Sequence, residues 1–326
     1  MKVYTCKDRL TDIMTCIYDA WSEALRIGHN QIQLKKEPVF QQTLFDEYIH
    51  IDGDASRAEK VIRSIRRSIS EEAYLNVYYA TLCADEDSLQ AIYNFLRVGF
   101  AVGSTVLGQY TNPHVMKLLE IRRRVSNEAH HFREFARFQS LDSKVYVCHL
   151  EPKNDVIMLV GNHFSDRMPS EHWMIIDDNR KTACVHVKDG ENYLRYLTDD
   201  EFSVLQKTES YEDEYTDMWK TFFHAISIEQ RKNYVCQRNL FPLWKRKHAV
   251  EIRYFKNALI DQFPPHKKTE TTHSDLFHIL FHYTRKFRPT TQVKHGDFPF
   301  STRTVLEQKK RHAAQNKTET NHITVL

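Results

Sequence analysis

The apolar positions in the first third of the chain recur at the spacing of helices buried along one side. In RLTDIMTCIYDAWSEALR, Ile13, Cys16, Ile17, Ala20, Trp21 and Ala24 fall on one face of a 3.6-residue period. In ASRAEKVIRSIRRSIS, Ala58, Val61, Ile62, Ile65 and Ile69 form one stripe, and Arg57, Lys60, Arg63, Arg66 and Arg67 cover the rest. EEAYLNVYYATLC and DEDSLQAIYNFLRVGFAVG predict two further helices, with Asp85 or Asp87 as the cap of the second. KVYTC and DEYIHID read as short strands, the latter ending at Asp52-Gly53-Asp54, a turn and helix-cap signal. Residues 1–112 are thus a helix-rich part.

The period changes in residues 113–190. A helix starting at Asn112-Pro113 runs through HVMKLLEIRRRVSNEAHH, with Leu118, Ile121, Val125, Ala129 and Phe132 as its core stripe. EFARFQ, the polar turn SLDS and KVYVCHLEP then predict a β-hairpin; NDVIMLVGNHFSDRM returns to helical spacing. HWMIID, the turn Asp177-Asp178-Asn179-Arg180 and TACVHVKDG predict a second hairpin. Residues 200–250 read as helices, the strongest placing Tyr215, Met218, Trp219, Phe222, Phe223 and Ile226 on one side. The predicted fold is α+β: an antiparallel sheet of two hairpins joined by a helix, covered by helices, in a single domain spanning 1–250.

Composition changes this picture mainly at the end of the chain. Hydrophobic residues at 41% and charged ones at 27% are those of a globular protein. Beyond 255 the texture shifts to HKKTETTHSD and KKRHAAQNKTETNH. From 256 onward twelve Lys and Arg face six Asp and Glu, so this His-rich tail carries +6 and the residues before it −3 of the net +3. The basic balance therefore belongs to a segment expected to be poorly ordered, and nucleic-acid binding must rest on local clusters. Without an apolar run of about 18 residues or a secretory leader, the expected location is the cytoplasm, with no membrane partner. Six cysteines without a C-x-x-C pair argue for buried thiols and against a disulfide framework, a zinc ribbon or a cluster site. Eight glycines in all, with no G-x-G-x-x-G or G-x-x-x-x-G-K-[ST], disfavour phosphate loops, and no nucleotide or redox cofactor is expected.

Chemistry concentrates in RRRVSNEAHHFREFARFQ, residues 122–139, where five arginines and two histidines surround Glu128. At 100° per residue Arg123, Asn127 and His130 share the stripe opposite the core, with Arg124 and His131 on the next; Arg133 and Arg137 follow at the helix end. Guanidinium forks fit phosphate oxygens in pairs, giving affinity without sequence preference. Phe132, Phe135 and Phe138 could offer base-stacking faces or fill the core. His130, His163, Asp166 and Asp177 are the candidate acid–base groups, since imidazole titrates near neutrality and a carboxylate partner can orient it. Arg180, Arg231, Lys232 and Asn233 could contact an anion, or serve only to finish a turn and a helix. H-E-x-x-H and the zinc-deaminase pattern are both missing, so no metal ligands are assigned.

At these same residues the chain resembles a family of bacterial "probable DNA metabolism" proteins that accompany a radical SAM protein similar to spore photoproduct lyase. EEAYLNVYYATL, YNFLRVGFAVG, RRRVSNEAHHFREFARFQ, VYVCHLEPKNDVIMLVGNHFSDRM, HWMIIDDNR and MWKTFFHAISIEQRKN carry the resemblance, in order, over roughly residues 1–245. It implies a role in DNA repair or modification, with DNA, the radical SAM protein and a uracil-DNA-glycosylase-like protein as partners. The positions it singles out are Glu128, His130, Phe132, Phe135, Arg137 and Phe138; His163, Phe164, Asp166 and Arg167; Trp173, Asp177 and Arg180; and Arg231, Lys232 and Asn233. FPLWKRKHAVEIRYF departs from the family's closing segment, a tyrosine being replaced, and nothing beyond about 255 resembles it.

The expectation is therefore a protein that grips DNA through Arg123, Arg124, Arg133, Arg137, Arg167, Arg180, Arg231, Lys232 and Asn233. Two alternatives stand beside it: a non-catalytic adaptor for the radical SAM partner, and a metal-dependent nucleotide hydrolase. The first reading requires that His130, Arg137, His163, Asp166 and Arg180 converge on one open hollow.

Overall fold

The computed structural model describes residues 1–141, 144–208, 214–231, 233–242 and 245–249. By its contacts the chain divides into Met1–Lys267 and Lys268–Leu326, and every described residue belongs to the first unit. The tail 256–326 lies outside the described residues.

The fold is α+β, with helices covering two sheets. The first sheet comprises β1 (Lys2–Cys6), β2 (Ile32–Lys36) and β3 (Glu47–His50), in the order β2-β1-β3. β1 lies parallel to both neighbours: α1 (Leu10–Ile27) returns the chain to the starting end of the sheet before β2, and residues 37–46 return it again before β3. The expected helix-rich part thus contains a small parallel sheet. Its strand IQLKK escapes sequence reading because it alternates over only five residues. Asp54 caps α2 (Ala55–Ser68) by accepting from Arg57 N at 2.8 Å. Ser70 does the same for α3 (Glu71–Thr81) through Ala73 N at 3.0 Å.

Next come α4 (Ser88–Val102) and the long α5 (Pro113–Phe135). By length and composition alone, Ser88–Gly108 could cross a bilayer, with a mean hydropathy of 1.2. Its helical part buries Leu89, Ile92, Tyr93, Phe95 and Leu96 in the protein core, against α3, α5 and β2. Asn112 caps α5 by accepting from His114 N at 3.0 Å, with Pro113 in the first turn. The α5 stripe Leu118, Ile121, Val125, Ala129 and Phe132 is buried as its period predicts. The helix continues through Phe135, where the sequence pattern already suggests a strand; pairing begins only at Gln139.

The second sheet has five strands in sequence order: β4 (Gln139–Leu141), β5 (Val145–Leu150), β6 (His172–Asp177), β7 (Thr182–His186) and β8 (Tyr193–Tyr196). Both predicted hairpins are present, β4 with β5 and β6 with β7. The sheet is nevertheless mixed rather than antiparallel: β6 runs parallel to β5, because α6 (Ile157–Arg167) carries the chain back across the sheet. Gly161 lets α6 lie close on β7, since a Cβ there would stand 2.2 Å from Cys184 Sγ.

Among the described residues three α-helices follow: α7 (Asp199–Thr208), α8 (Glu214–Ala225) and α9 (Tyr234–Leu240). The apolar stripe of α8 is not core. Tyr215, Met218, Phe222 and Ile226 are exposed, and the buried positions are Thr216 and Lys220. Periodicity says which residues share a face, but not which face is covered.

Candidate functional site

The parallel pair β5 and β6 ends with both carboxyl termini on one edge, where Leu150 faces Asp177 in register. The 151–155 loop after β5 and the turn after β6 therefore lie side by side, and Asp178 N donates to Leu150 O at 2.9 Å. The carboxyl edge of parallel strands is where open α/β sheets place their ligands.

Two clamps hold this loop. From α5, the buried Glu128 accepts from Lys153 N at 2.7 Å, from Asn154 N at 3.2 Å, and from the Asn154 side-chain amide. From the β6–β7 turn, Arg180 donates through Nη1 to Pro152 O at 3.1 Å and to Asp177 Oδ2 at 2.9 Å, while its Nη2 reaches Lys153 O at 2.5 Å. The other oxygen of Asp177, Oδ1, accepts from Asn179 N at 2.9 Å and Arg180 N at 3.1 Å. Burial pushes the Asp177 carboxyl above its usual range, against the pull of Arg180. Asp177 is fully buried, so this pair is a structural clamp whose donors already point at protein oxygens.

Outside the clamps, the same edge carries His149, Glu151, Asp178, Lys247 and His248. His149 Nδ1 lies 2.9 Å from Asp178 Oδ1, and Lys247 bonds Glu151. His248 Nε2 is 3.9 Å from both Glu151 Oε1 and Asp178 Oδ2. Burial lowers the pKa of His248, although both carboxylates oppose that shift. Sequence reading missed this group, whose members stand far apart along the chain. The available signal was an acid just past each of two strand-like runs, Glu151 in HLEP and Asp178 in IDDNR.

Of the remaining candidates, a subset gathers where α5 meets α6. Burial lowers the pKa of His163, and Arg133, Arg167 and His130 lower it further, opposed by Asp166. Arg123, Asn127 and His130 are exposed along α5, as helical geometry predicts. Arg124 is paired with Asp85 at 2.6 Å, and Arg133 Nη2 donates to Leu159 O at 3.0 Å. Arg137 turns back to Glu134 O and Ala136 O, both at 3.2 Å, and lies over the Trp219 ring. Arg231 is exposed after α8, and Asn233 caps α9 through Cys236 N at 2.9 Å. Lys232 lies outside the described residues.

The candidates therefore do not share one hollow. Asp177 and Arg180 belong to the strand-end clamp, and His130, Arg133, His163, Asp166 and Arg167 to the α5–α6 face. A cavity of about 430 Å³ lined by Thr5, Glu37, Pro38, Val39, Gln42 and Tyr48 includes none of them. The phenylalanines are not open platforms. Phe132 is buried, Phe135 stacks on Phe241 at 3.8 Å, and Phe138 packs edge-on against Phe164 at 4.8 Å. The second arginine-rich helix, α2, is largely neutralised: Arg57 pairs with Asp19, Arg63 with Glu59 and Arg66 with Glu71.

These features define an α+β protein whose charged groups cluster at the carboxyl edge of a helix-covered mixed sheet and on the adjoining helix face. The chain belongs to the family described as Domain of unknown function (DUF4130), whose model matches residues 86–251, just over half of its length. The match takes in both clusters and leaves the first sheet outside it. No curated protein matches the chain.

Proposed function

We propose a narrower form of the sequence reading, without the single hollow it required: this protein engages the sugar-phosphate backbone of DNA through the face shared by α5 and α6 alone, in the service of DNA repair or modification. The observation that carries this reading is the packing of α5 on α6 beside the half-buried His163, whose pKa is lowered first by burial and then by Arg133, Arg167 and His130, against Asp166. Arg123 extends that face along α5, and Arg167 stands exposed at the end of α6. With the nearby phenylalanines packed inward, recognition falls on phosphates rather than bases, so binding is indifferent to sequence. His163 is held neutral by its surroundings and can accept a proton from, or share one with, a nucleotide oxygen. The sequence resemblance to DNA-metabolism proteins supports the pathway and a radical SAM partner. The buried thiols Cys6, Cys16, Cys83, Cys148 and Cys184 suit the reducing interior of a cell.

Three guanidinium contacts, from Arg123, Arg133 and Arg167, give a slope of about −2.7 for log K against log salt on duplex DNA. Affinity then falls about 40-fold between 50 and 200 mM salt. Fluorescence anisotropy with two labelled duplexes of unrelated sequence measures this. A flat salt response, or no binding at low salt, contradicts the reading.

A further inference from the structure

The carboxyl edge of β5 and β6 presents three metal-ligating atoms around one gap. Glu151 Oε1, Asp178 Oδ2 and His248 Nε2 all lie within 4.8 Å of one another. The 3.9 Å separations from His248 to each carboxylate oxygen are too long for hydrogen bonds. They are close to the spacing of two ligands on one small cation: atoms held at about 2.1 Å from a tetrahedral ion stand about 3.4 Å apart. His149 Nδ1 contacts the other oxygen of Asp178 at 2.9 Å, which orients the carboxylate toward the gap as outer partners of metal ligands do. Two strand ends fix Glu151 and Asp178, and the clamps of Glu128 and Arg180 hold the loop that carries Glu151, so two of the three ligands sit on rigid supports.

We propose that Glu151, Asp178 and His248 form a binding site for a first-row divalent transition-metal ion such as zinc. One imidazole and two carboxylates select this class over magnesium or calcium, which prefer oxygen alone. The two carboxylate charges balance a dication. Lys247, which is mostly exposed, gives up its bond to Glu151 or shifts to the second oxygen when the ion enters. Three protein ligands leave a position for water or a substrate oxygen, as in catalytic rather than closed structural zinc sites. The site is separate from the α5–α6 face, and metal binding stands or falls independently of DNA binding.

The experiment is titration of the full-length, tag-free protein with Co²⁺, read by visible absorption, and with Zn²⁺ by equilibrium dialysis. One equivalent per chain is expected, with tetrahedral cobalt bands that His248→Ala and Asp178→Ala abolish. His149→Ala is expected to weaken binding by about 10- to 100-fold while keeping one equivalent. Eighteen histidines, seven of them in the tail, offer other places for a metal. Cobalt bands that survive at full intensity in His248→Ala therefore overturn the proposal, as does a wild-type protein that binds neither ion. If circular dichroism shows that His248→Ala or Asp178→Ala fails to fold, Glu151→Gln decides: about tenfold or greater loss of affinity supports the site, and unchanged affinity overturns it.

Discussion

Arg180→Ala lowers stability by about 3–5 kcal/mol at pH 7, because it leaves a carboxylate with no accessible surface uncompensated. The same variant loses much less near pH 4. Burial already places the Asp177 pKa above its ordinary value, while Arg180 pulls it down. A carboxyl group whose folded pKa exceeds its unfolded one binds protons more tightly when folded. Its contribution to stability is therefore lost as pH rises from the usual value of about 4 through the folded pKa. Removing the guanidinium extends that interval upward, so the deficit grows between pH 4 and 7. Urea midpoints at both pH values measure it. Adding Asp177→Asn to Arg180→Ala recovers most of the pH-dependent part. An equal deficit at both pH values would instead assign the effect to the lost bonds to Pro152 and Lys153 carbonyls.

Glu128→Ala lowers stability by about 2–4 kcal/mol, since one buried carboxylate serves two backbone N–H groups and one side-chain amide. Glu128→Gln recovers only part of this. All three partners donate, and a glutamine offers them one oxygen and an NH₂ that faces another donor. Asn154 is doubly committed, because its Oδ1 also accepts from Ala84 N at 3.0 Å. The loss therefore spreads toward the end of α3, and amide exchange at 153, 154 and 84 rises together. Denaturation of both variants, with exchange at these three amides, checks the prediction; protection unchanged in Glu128→Ala would contradict it.

These clamps mark the boundary of what the sequence discloses. The α5 stripe, the Asn112 cap, both hairpins and the intervening helix α6 are local patterns, and each is legible from spacing alone. The parallel pairing of β5 and β6 is not, because it follows from α6 crossing the sheet and leaves no residue signature. Asp177 and Arg180 read as a turn pair with anion-binding potential, yet Arg180 finds its carbonyl partners in a loop 27 and 28 residues away. Glu128 follows three exposed arginines in the sequence, but its place on the helix turns it inward. The Glu151, Asp178 and His248 arrangement required three distant segments to meet. On the α5–α6 face, helical geometry alone placed Arg123 and His130 outward, whereas the approach of His163 to Arg133 needed the packing of two helices.

The proposed DNA-binding face is tested most directly by charge reversal on two helix surfaces of the same full-length protein. Arg123→Glu with Arg167→Glu alters the α5–α6 face; Arg63→Glu with Arg67→Glu alters the exposed side of α2. At 50 mM salt the first pair is predicted to weaken duplex binding by roughly 100-fold and the second by less than about threefold. Equal losses for the two pairs, or an intact affinity in the first, would contradict the assignment of the phosphate-binding face to α5 and α6.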